Sequence, residues 1–190
     1  GEIIAHPARG LFMGNRGILH DDGQRLGRAR WRHKAWIICE LQHKGWHRSV
    51  MSPRNYTELF FLDEAVALAA GHRPCKLCRR NAYLAFADAA AHRGSAPELD
   101  SQLHAERAVP RRFLQRRHEA AFSALPDGAV ILENVPKLVL GDTMRPVQPD
   151  GYGAPETRPR SGTVVALTPP TSLAALAAGY RPRLHPSATV

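Results

Sequence analysis

Short apolar runs interrupted by turn residues dominate the first third of the chain. The runs lie at residues 11–13, 16–20, 35–39, 50–51 and 56–62. Gly14-Asn15 and Asp22-Gly23 separate the first three runs, and both pairs are strong turn signals. Apolar and aromatic runs bounded by such turns are typical of strands, so residues 10–62 are predicted to be rich in β-structure.

A helical pattern follows this region and continues into the middle of the chain. Residues 64–70 are predicted to form a short helix with Asp63 as its N-cap. Residues 81–127 are predicted to form a helical segment, in which Pro97 and Pro110 open the second and third helices. In the third helix, apolar positions recur at helical spacing at Leu114, Ala121, Phe122 and Leu125.

Strand patterns return in the last third of the chain, at residues 129–132, 137–140 and 163–167. The stretch between the last two, residues 148–160, is rich in Pro and Gly and is predicted to be a surface loop. Residues 172–178 are predicted to form a final short helix. The whole pattern predicts an α+β protein that packs as one unit, with a small β-rich lobe at 1–80, a helical segment at 81–127 and a C-terminal β-rich portion at 128–190.

An eight-residue pattern occurs twice, at residues 67–74 and 175–182. Both copies have the form Ala-Leu-Ala-Ala-Gly, then a ring residue, then Arg-Pro. Gly just past a helix end and Pro shortly after it are common helix stops. The repeat therefore indicates a shared way of ending a helix rather than a duplicated domain.

All three cysteines fall into a pattern that predicts a zinc site. Cys39 and His43 form a Cys-x3-His pair, and Cys75 and Cys78 form a Cys-x2-Cys pair. Two such pairs on separate turns supply four ligands for the tetrahedral coordination of structural zinc. Two alternatives stay open: His47 could replace His43 as the fourth ligand, or the cysteines could be unrelated buried thiols.

The amino-acid composition limits the cellular compartment and the kind of binding partner that are expected. An odd number of cysteines argues against a disulfide scaffold and predicts a reducing compartment, hence the cytoplasm. The pattern predicts neither a membrane span nor a signal peptide. The net charge is +9, and residues 1–80 hold 14 Lys and Arg against 7 Asp and Glu. A polyanion, with DNA first, is the partner expected for such a basic region, and a merely solvated basic surface is the alternative.

Basic and aromatic residues alternate around the first ligand pair. Arg and Lys can contact phosphates, and exposed aromatic rings can stack on unpaired bases. Trp36 lies in an apolar run and is expected in the core, whereas Trp46 lies beside a turn and is the better stacking candidate. The predicted nucleic-acid contacts are Arg30, Arg32, Lys34, Lys44, Trp46, Arg48, Arg79 and Arg80. The basic residues of the predicted third helix, Arg111, Arg112, Arg116 and Arg117, are expected to form a solvated stripe.

The stretch Glu-Ala-Val-Ala-Leu-Ala-Ala-Gly-His-Arg-Pro-Cys-Lys-Leu-Cys-Arg-Arg at residues 64–80 resembles the Ada-type zinc-binding domain family. The resemblance covers about residues 35–80. In that family the Cys-x2-Cys follows Arg-Pro, and an upstream Cys-x3-Cys completes the zinc site. The resemblance implies a zinc-binding, DNA-binding protein of bacterial type, with a role in repair or in the recognition of modified or damaged DNA.

The chain departs from the family pattern at the upstream pair. His43 stands at the position of the second cysteine, and Glu40-Leu-Gln42 replaces the family's Arg-Pro-Ser. The resemblance would give Cys39 the role of a methyl-accepting thiolate. Because a neutral imidazole makes the cluster less anionic, the remaining sulfurs should be weaker nucleophiles, and methyl transfer is not expected.

Two other classes of function stay open. A glycosylase, nuclease or other hydrolase acting on nucleic acid could use a structural zinc, with catalytic candidates Asp21, Asp22, Glu58 and Asp63. His20 beside Asp21, and His104 near Glu106, also put an imidazole close to a carboxylate. Alternatively, the zinc could stabilise a module that binds another protein.

Overall fold

The computed structural model describes residues 2–45 and 49–189 and shows an α+β fold. In chain order its strands and helices are β1 (Phe12–Asn15), β2 (Ile37–Glu40), β3 (Leu59–Phe61), α1 (Glu64–Ala69), β4 (Arg73–Pro74), α2 (Arg80–Ala89), α3 (Ala96–Arg107), β5 (Ala108–Val109), β6 (Leu114–Gln115), β7 (His118–Ala121), β8 (Val130–Leu132), β9 (Pro136–Leu140), β10 (Thr143–Gln148), β11 (Gly151–Tyr152), β12 (Glu156–Thr157), β13 (Thr163–Ala166) and α4 (Pro170–Ala177). None of the helices in these described ranges is long and apolar enough to cross a membrane.

The first sheet has the strand order β3-β1-β2-β4. Strand β1 pairs antiparallel with both β2 and β3, whereas β2 pairs parallel with β4. Ile38 lies opposite Pro74 in the parallel pair. Because parallel strands end at the same edge of a sheet, the residues that follow β2 and β4 leave the sheet side by side.

The second sheet is antiparallel, with the order β11-β10-β9-β8-β13-β7 and with β12 also paired to β10. A short separate hairpin joins β5 to β6. One hydrophobic cluster contains buried residues from both sheets and from the helices between them, among them Phe12, Phe86, Leu103, Ile131 and Leu176. The N-terminal and C-terminal halves therefore share a core.

The repeated helix stop appears at the ends of α1 and α4. Gly71 has φ +84° and Gly179 has φ +104°, in the left-handed region that glycine adopts without strain. The next amide in each copy, that of His72 or Tyr180, donates back into its helix, to Ala67 O at 3.0 Å or to Ala175 O at 2.9 Å. Both copies thus end a helix in the same way, as the sequence indicates. The first copy leads directly into β4 and the Cys-x2-Cys turn.

The third predicted helix is wrong. Residues 108–121 form β5, β6 and β7, and a single 3-10 turn at Phe122–Ala124 follows. Arg111 and Phe113 have φ values of +65° and +54°, which an α-helix cannot contain. The apolar residues that suggested a helical stripe have different environments, since Leu114 is 56% exposed and Phe122 is buried. The helical segment therefore ends at Arg107.

Other boundaries also differ from the predictions. Residues 16–20 form no strand, although His20 makes an isolated bridge to Leu26, and residues 50–51 lie in a turn. The predicted loop at 148–160 contains the short strands β11 and β12, which fold back onto β10. The helix at 64–70, the helix opened by Pro97 and the final helix are confirmed to within a few residues.

Candidate metal centre and basic face

The parallel pairing of β2 and β4 brings the three cysteines together. Cys39 is the third residue of β2, and Cys75 follows β4 directly. The Cys75 amide donates to Ile38 O at 2.9 Å, which continues the ladder past the end of β4. Cys78 lies on the turn that enters α2, and the Arg79 amide closes this turn on Cys75 O at 3.1 Å.

The Sγ atoms of Cys39, Cys75 and Cys78, which we call the cysteine cluster, all lie within 4.8 Å of one another. Tetrahedral zinc with Zn–S bonds of about 2.3 Å holds its sulfurs about 3.8 Å apart, so the cluster has a suitable size for this ion. The Leu77 amide donates to Cys75 Sγ at 3.4 Å. Amide donors of this kind stabilise the negative charge that thiolate ligands carry. The cluster can therefore bind a metal ion.

The sulfurs of the cluster compete for protons. Hydrogen bonds to Cys75 and Cys78, together with burial, raise the pKa of Cys39. Hydrogen bonds from Cys39 and Cys78 lower the pKa of Cys75 to about 2. A bound cation removes this competition, because a metal-bound thiol loses its proton and each sulfur then shares its charge with the ion.

The fourth predicted ligand stays a prediction. No ring nitrogen of His43 belongs to the group of donor atoms that lie within 4.8 Å of one another. His43 lies in the loop after β2, and the alternative ligand His47 lies outside the described residues. A ligand from this loop would complete the tetrahedron.

Arg79 connects the cysteine cluster with the C-terminal half of the chain. Its guanidinium makes a bidentate pair with Glu64 at 2.9 Å for both bonds, and its Nε lies 3.2 Å from Glu40 Oε1. Glu64 is 1% exposed and also accepts from Tyr180 Oη at 2.5 Å and from the Arg183 amide at 3.0 Å. Arg79 is thus a buried structural residue and not the predicted phosphate contact, whereas Arg80 is exposed.

A second surface forms around Trp31. The Trp31 ring contacts Phe113 with centroids 5.0 Å apart and His104 with centroids 5.7 Å apart, both edge to face. This contact joins the loop that precedes β2 to the β5–β6 hairpin. We call the surface the Trp31 face; its residues are Trp31, His104, Phe113 and the exposed Arg28, Arg32, Lys34, Arg111 and Arg112.

The sequence predicts only part of this face. Its pattern places Arg111 and Arg112 on a helix and indicates no role for Phe113, because the contact between Trp31 and Phe113 spans 82 positions and has no local signal. Among the other predicted contacts, Arg30 Nη1 donates to Gly27 O at 2.7 Å and is partly buried. Lys44 is exposed beyond β2, and Trp46 and Arg48 lie outside the described residues.

Two buried arginines contact the tryptophan that packs against Trp31. The guanidinium carbons of Arg16 and Arg107 each lie 4.1 Å from the ring centroid of Trp36, which packs against Trp31 at 5.3 Å. Arg107 donates to the carbonyls of Gly71 and Lys34. In the described part of the chain, no ion pair joins either arginine to a carboxylate.

Burial lowers the pKa of Arg16 to about 9, and burial followed by the charge of Arg16 lowers the pKa of Arg107. Both guanidinium groups remain protonated at neutral pH. Their charge, which the carboxylates of Asp100 and Glu106 offset in part for Arg107, adds to the positive potential at the Trp31 face, since a low-dielectric interior screens charge weakly.

His72, which accepts a hydrogen bond from Arg16 Nε at 3.2 Å, leads us to expect that stability depends on pH. It is fully buried; burial first, and then the charges of Arg16 and Arg107, hold its pKa well below 6.5. The unfolded chain then binds one more proton than the folded protein below pH 6.5, so stability falls with decreasing pH and should lose about 1.4 kcal/mol between pH 7.5 and 5.5 from this residue alone.

Urea unfolding at the two pH values, with zinc in excess, measures this loss, and His72→Gln isolates the contribution of His72. The difference between the two pH values should be smaller by about 1.4 kcal/mol in the variant than in the parent. An equal difference in both proteins would show that His72 is protonated in the folded state.

Each of the predicted catalytic carboxylates has a local structural role or lies in solvent. Asp63 caps α1 through Val66 N at 3.0 Å and also accepts from Tyr152 Oη at 2.7 Å and from the His185 amide at 3.0 Å. Burial raises the pKa of Asp63, although these bonds oppose the shift. Asp21 Oδ1 accepts from the Arg25 amide at 2.9 Å and closes an exposed turn, and Asp22 is exposed.

The remaining acid–base candidates also hold the fold together. Glu58 accepts from the Met51 amide at 2.8 Å. His20 is hydrogen-bonded to Thr57 Oγ1 at 2.6 Å and is buried. Glu106, near His104 in the sequence, accepts from the Thr171 amide and hydroxyl at 2.9 and 2.6 Å, where it caps α4.

Comparison of the chain with protein-family models, with curated proteins and with solved structures finds no match.

Proposed function

We propose that the protein binds DNA through the Trp31 face and that a zinc ion in the cysteine cluster stabilises the lobe that carries this face. The observation that supports the proposal most directly is the contact between Trp31 and Phe113. It unites two basic segments that are far apart in the sequence into one surface with exposed cations and a partly exposed tryptophan.

The charges of this surface fit a polyanion. Arg28, Arg32, Lys34, Arg111 and Arg112 are exposed on it. Arg16 and Arg107 contact Trp36 without an ion-paired carboxylate in the described residues. A phosphate backbone would supply the missing negative charge and would release condensed counterions on binding. Such contacts hold the nucleic acid in place without reading its sequence.

The second element of the proposal is zinc as the metal, with His43 as fourth ligand. Thiolate and imidazole ligands at tetrahedral spacing favour zinc over the hard cations, and four protein ligands leave no open position for catalysis. Trp36, which packs against Trp31, precedes β2, and Cys39 is the third residue of that strand, so about 10 Å of chain separates Trp36 from the cluster. The zinc would thus fix the strand that follows the Trp31 loop.

The Ada-type resemblance of residues 35–80 supports modified or damaged DNA as the target and repair as the process. The proposal does not include methyl transfer, because His43 replaces a thiolate of that family and weakens the nucleophile.

Charge reversal on the hairpin tests DNA binding. Anisotropy of a labelled 20-base-pair duplex should show affinity that falls steeply between 50 and 200 mM salt. The double variant Arg111→Glu, Arg112→Glu should weaken binding about tenfold or more at low salt, because both side chains are exposed and would face phosphates. The slope of log affinity against log salt should become less steep by the amount expected for about two lost phosphate contacts.

The double variant Arg93→Glu, Arg160→Glu is the matched control. It changes the net charge equally at exposed positions outside the Trp31 face, so its loss of affinity should be much smaller. Equal losses in the two double variants would show that binding follows net charge alone. Absence of binding to both duplex and single-stranded DNA at 50 mM salt would contradict the proposed function and favour a protein-binding module.

A further inference from the structure

The residues at the centre of the Trp31 face have the properties of a stacking platform. Trp36 is 2% exposed and forms its floor, whereas Trp31 and Phe113 are only partly buried. The Trp31 ring contacts three other rings, those of Trp36, His104 and Phe113, with centroid distances of 5.0 to 5.7 Å. A supported ring loses little conformational freedom when a ligand stacks on it.

The hairpin that supplies Phe113 holds an unusual backbone conformation. Arg111 and Phe113, two residues apart in the β5–β6 turn, both have left-handed φ values, +65° and +54°. Neither is Gly or Asn, so each position carries strain of order 1 kcal/mol or more. This conformation places the Phe113 ring against Trp31 and leaves the Arg111 and Arg112 side chains exposed.

Both halves of a nucleotide have a partner on this surface. An aromatic ring offers its face to a base, and the surrounding cations offer contacts to the phosphates on either side of it. In a duplex, neighbouring base pairs already cover both faces of a base. A base is free to stack on a protein ring only where it is unpaired.

We propose that the Trp31 face binds single-stranded DNA, with an unpaired base stacked on the Trp31 ring, which Phe113 supports edge to face, and with the adjacent phosphates held by Arg32, Lys34, Arg111 and Arg112. This inference rests on the proposed DNA binding and adds the form of DNA and the residues that recognise it. It assigns the stacking role to Trp31, whereas the sequence favours Trp46.

Stacking can be tested first without changing the protein. Binding of a labelled 15-nucleotide oligo-dT is compared with binding of an oligonucleotide of equal length and charge in which the central five positions are abasic. Removing the bases should weaken binding about tenfold or more, because the phosphates remain and only the stacking is lost. Equal affinity for the two strands would overturn the stacking inference.

Protein variants then locate the site. Trp31→Ala should weaken oligo-dT binding about tenfold or more and change binding of a 15-base-pair duplex less than about twofold. Trp31→Phe should retain most of the affinity, and Phe113→Ala should show a smaller loss of the same kind. Leu114→Ala is the matched control, since this side chain lies in the same hairpin, is 56% exposed and is not aromatic.

The outcomes separate the two proposals. If the parent protein binds neither form of DNA at low salt, both the proposed function and this inference fail. If the parent protein binds DNA, and Trp31→Ala either weakens binding of both forms equally or weakens binding of neither form, only the inference fails. A selective loss for the single strand in Trp31→Ala, together with a loss on abasic DNA, supports both.

Discussion

Cys75→Ser or Cys78→Ser should remove the metal and unfold the N-terminal lobe. Structural zinc supplies about 10 kcal/mol or more of apparent binding free energy. A whole domain has about 5–15 kcal/mol of stability, so the lobe has little chance of remaining folded without the ion. The cluster also fixes the end of β2 to the turn after β4, a strand that is otherwise held by its pairing with β2 and by the buried ion pair of Arg73 with Asp100.

Zinc content and thermal unfolding measure this effect. The parent protein should contain about one zinc per chain. A strong chelator should lower its melting temperature, and adding zinc back should restore it. Among the histidine variants, His43→Ala should lose nearly as much zinc and stability as the cysteine variants. His6→Ala, at an exposed position before β1, is the control and should change neither.

Two outcomes would change the assignment. A loss in His47→Ala and none in His43→Ala would move the fourth ligand to His47. A metal-free protein with an unchanged melting temperature would remove the zinc site altogether and leave three adjacent thiols.

The features that the sequence predicts correctly are those with a local physical cause. The Cys-x2-Cys turn, the cap at Asp63 and the helix stop at Gly71 each depend on residues within one or two turns of the chain. The convergence of Cys39 on Cys75 is also predictable, because a shared metal requires it whatever the strand order is.

The features that the sequence does not predict depend on contacts between distant residues. The sequence predicts that Arg79 is an exposed arginine after the zinc turn, yet Glu64 and Glu40 form ion pairs with it in the interior. Leu114, Ala121, Phe122 and Leu125 fit a helical period by coincidence, and pairing of β7 with β13 overrides it. The Trp31 face also depends on a hairpin where the sequence predicts a helix, since the β5–β6 hairpin places Phe113 against Trp31.

The carboxylate of Glu64 should be among the most sensitive single groups outside the cysteine cluster. Every donor around it comes from elsewhere in the chain: Arg79 from the turn before α2, and Tyr180 and the Arg183 amide from the segment after α4. The hydrogen bond and charge of Glu64 raise the pKa of Arg79 against the opposing effect of burial. The Arg79 guanidinium thus keeps its charge in the interior.

Glu64→Ala should cost about 3–5 kcal/mol of unfolding free energy, because it leaves the Arg79 guanidinium buried with one weaker partner and leaves the Tyr180 hydroxyl without an acceptor. Urea unfolding followed by circular dichroism measures the loss. Asp88→Ala is the matched control, since it breaks an ion pair with Arg93 whose side chains are 77% and 72% exposed, and it should cost less than about 1 kcal/mol.

The double variant Glu64→Leu, Arg79→Met separates lost attraction from uncompensated charge. If the cost of Glu64→Ala comes chiefly from an unpaired buried guanidinium, replacing both partners by apolar side chains should recover much of the stability. If the double variant is as unstable as Glu64→Ala, the bonds to Tyr180 and Arg183 carry the effect instead. In that case Tyr180→Phe alone should cost about 1–2 kcal/mol, and the role of Glu64 is to fasten the C-terminal segment to the metal-binding lobe.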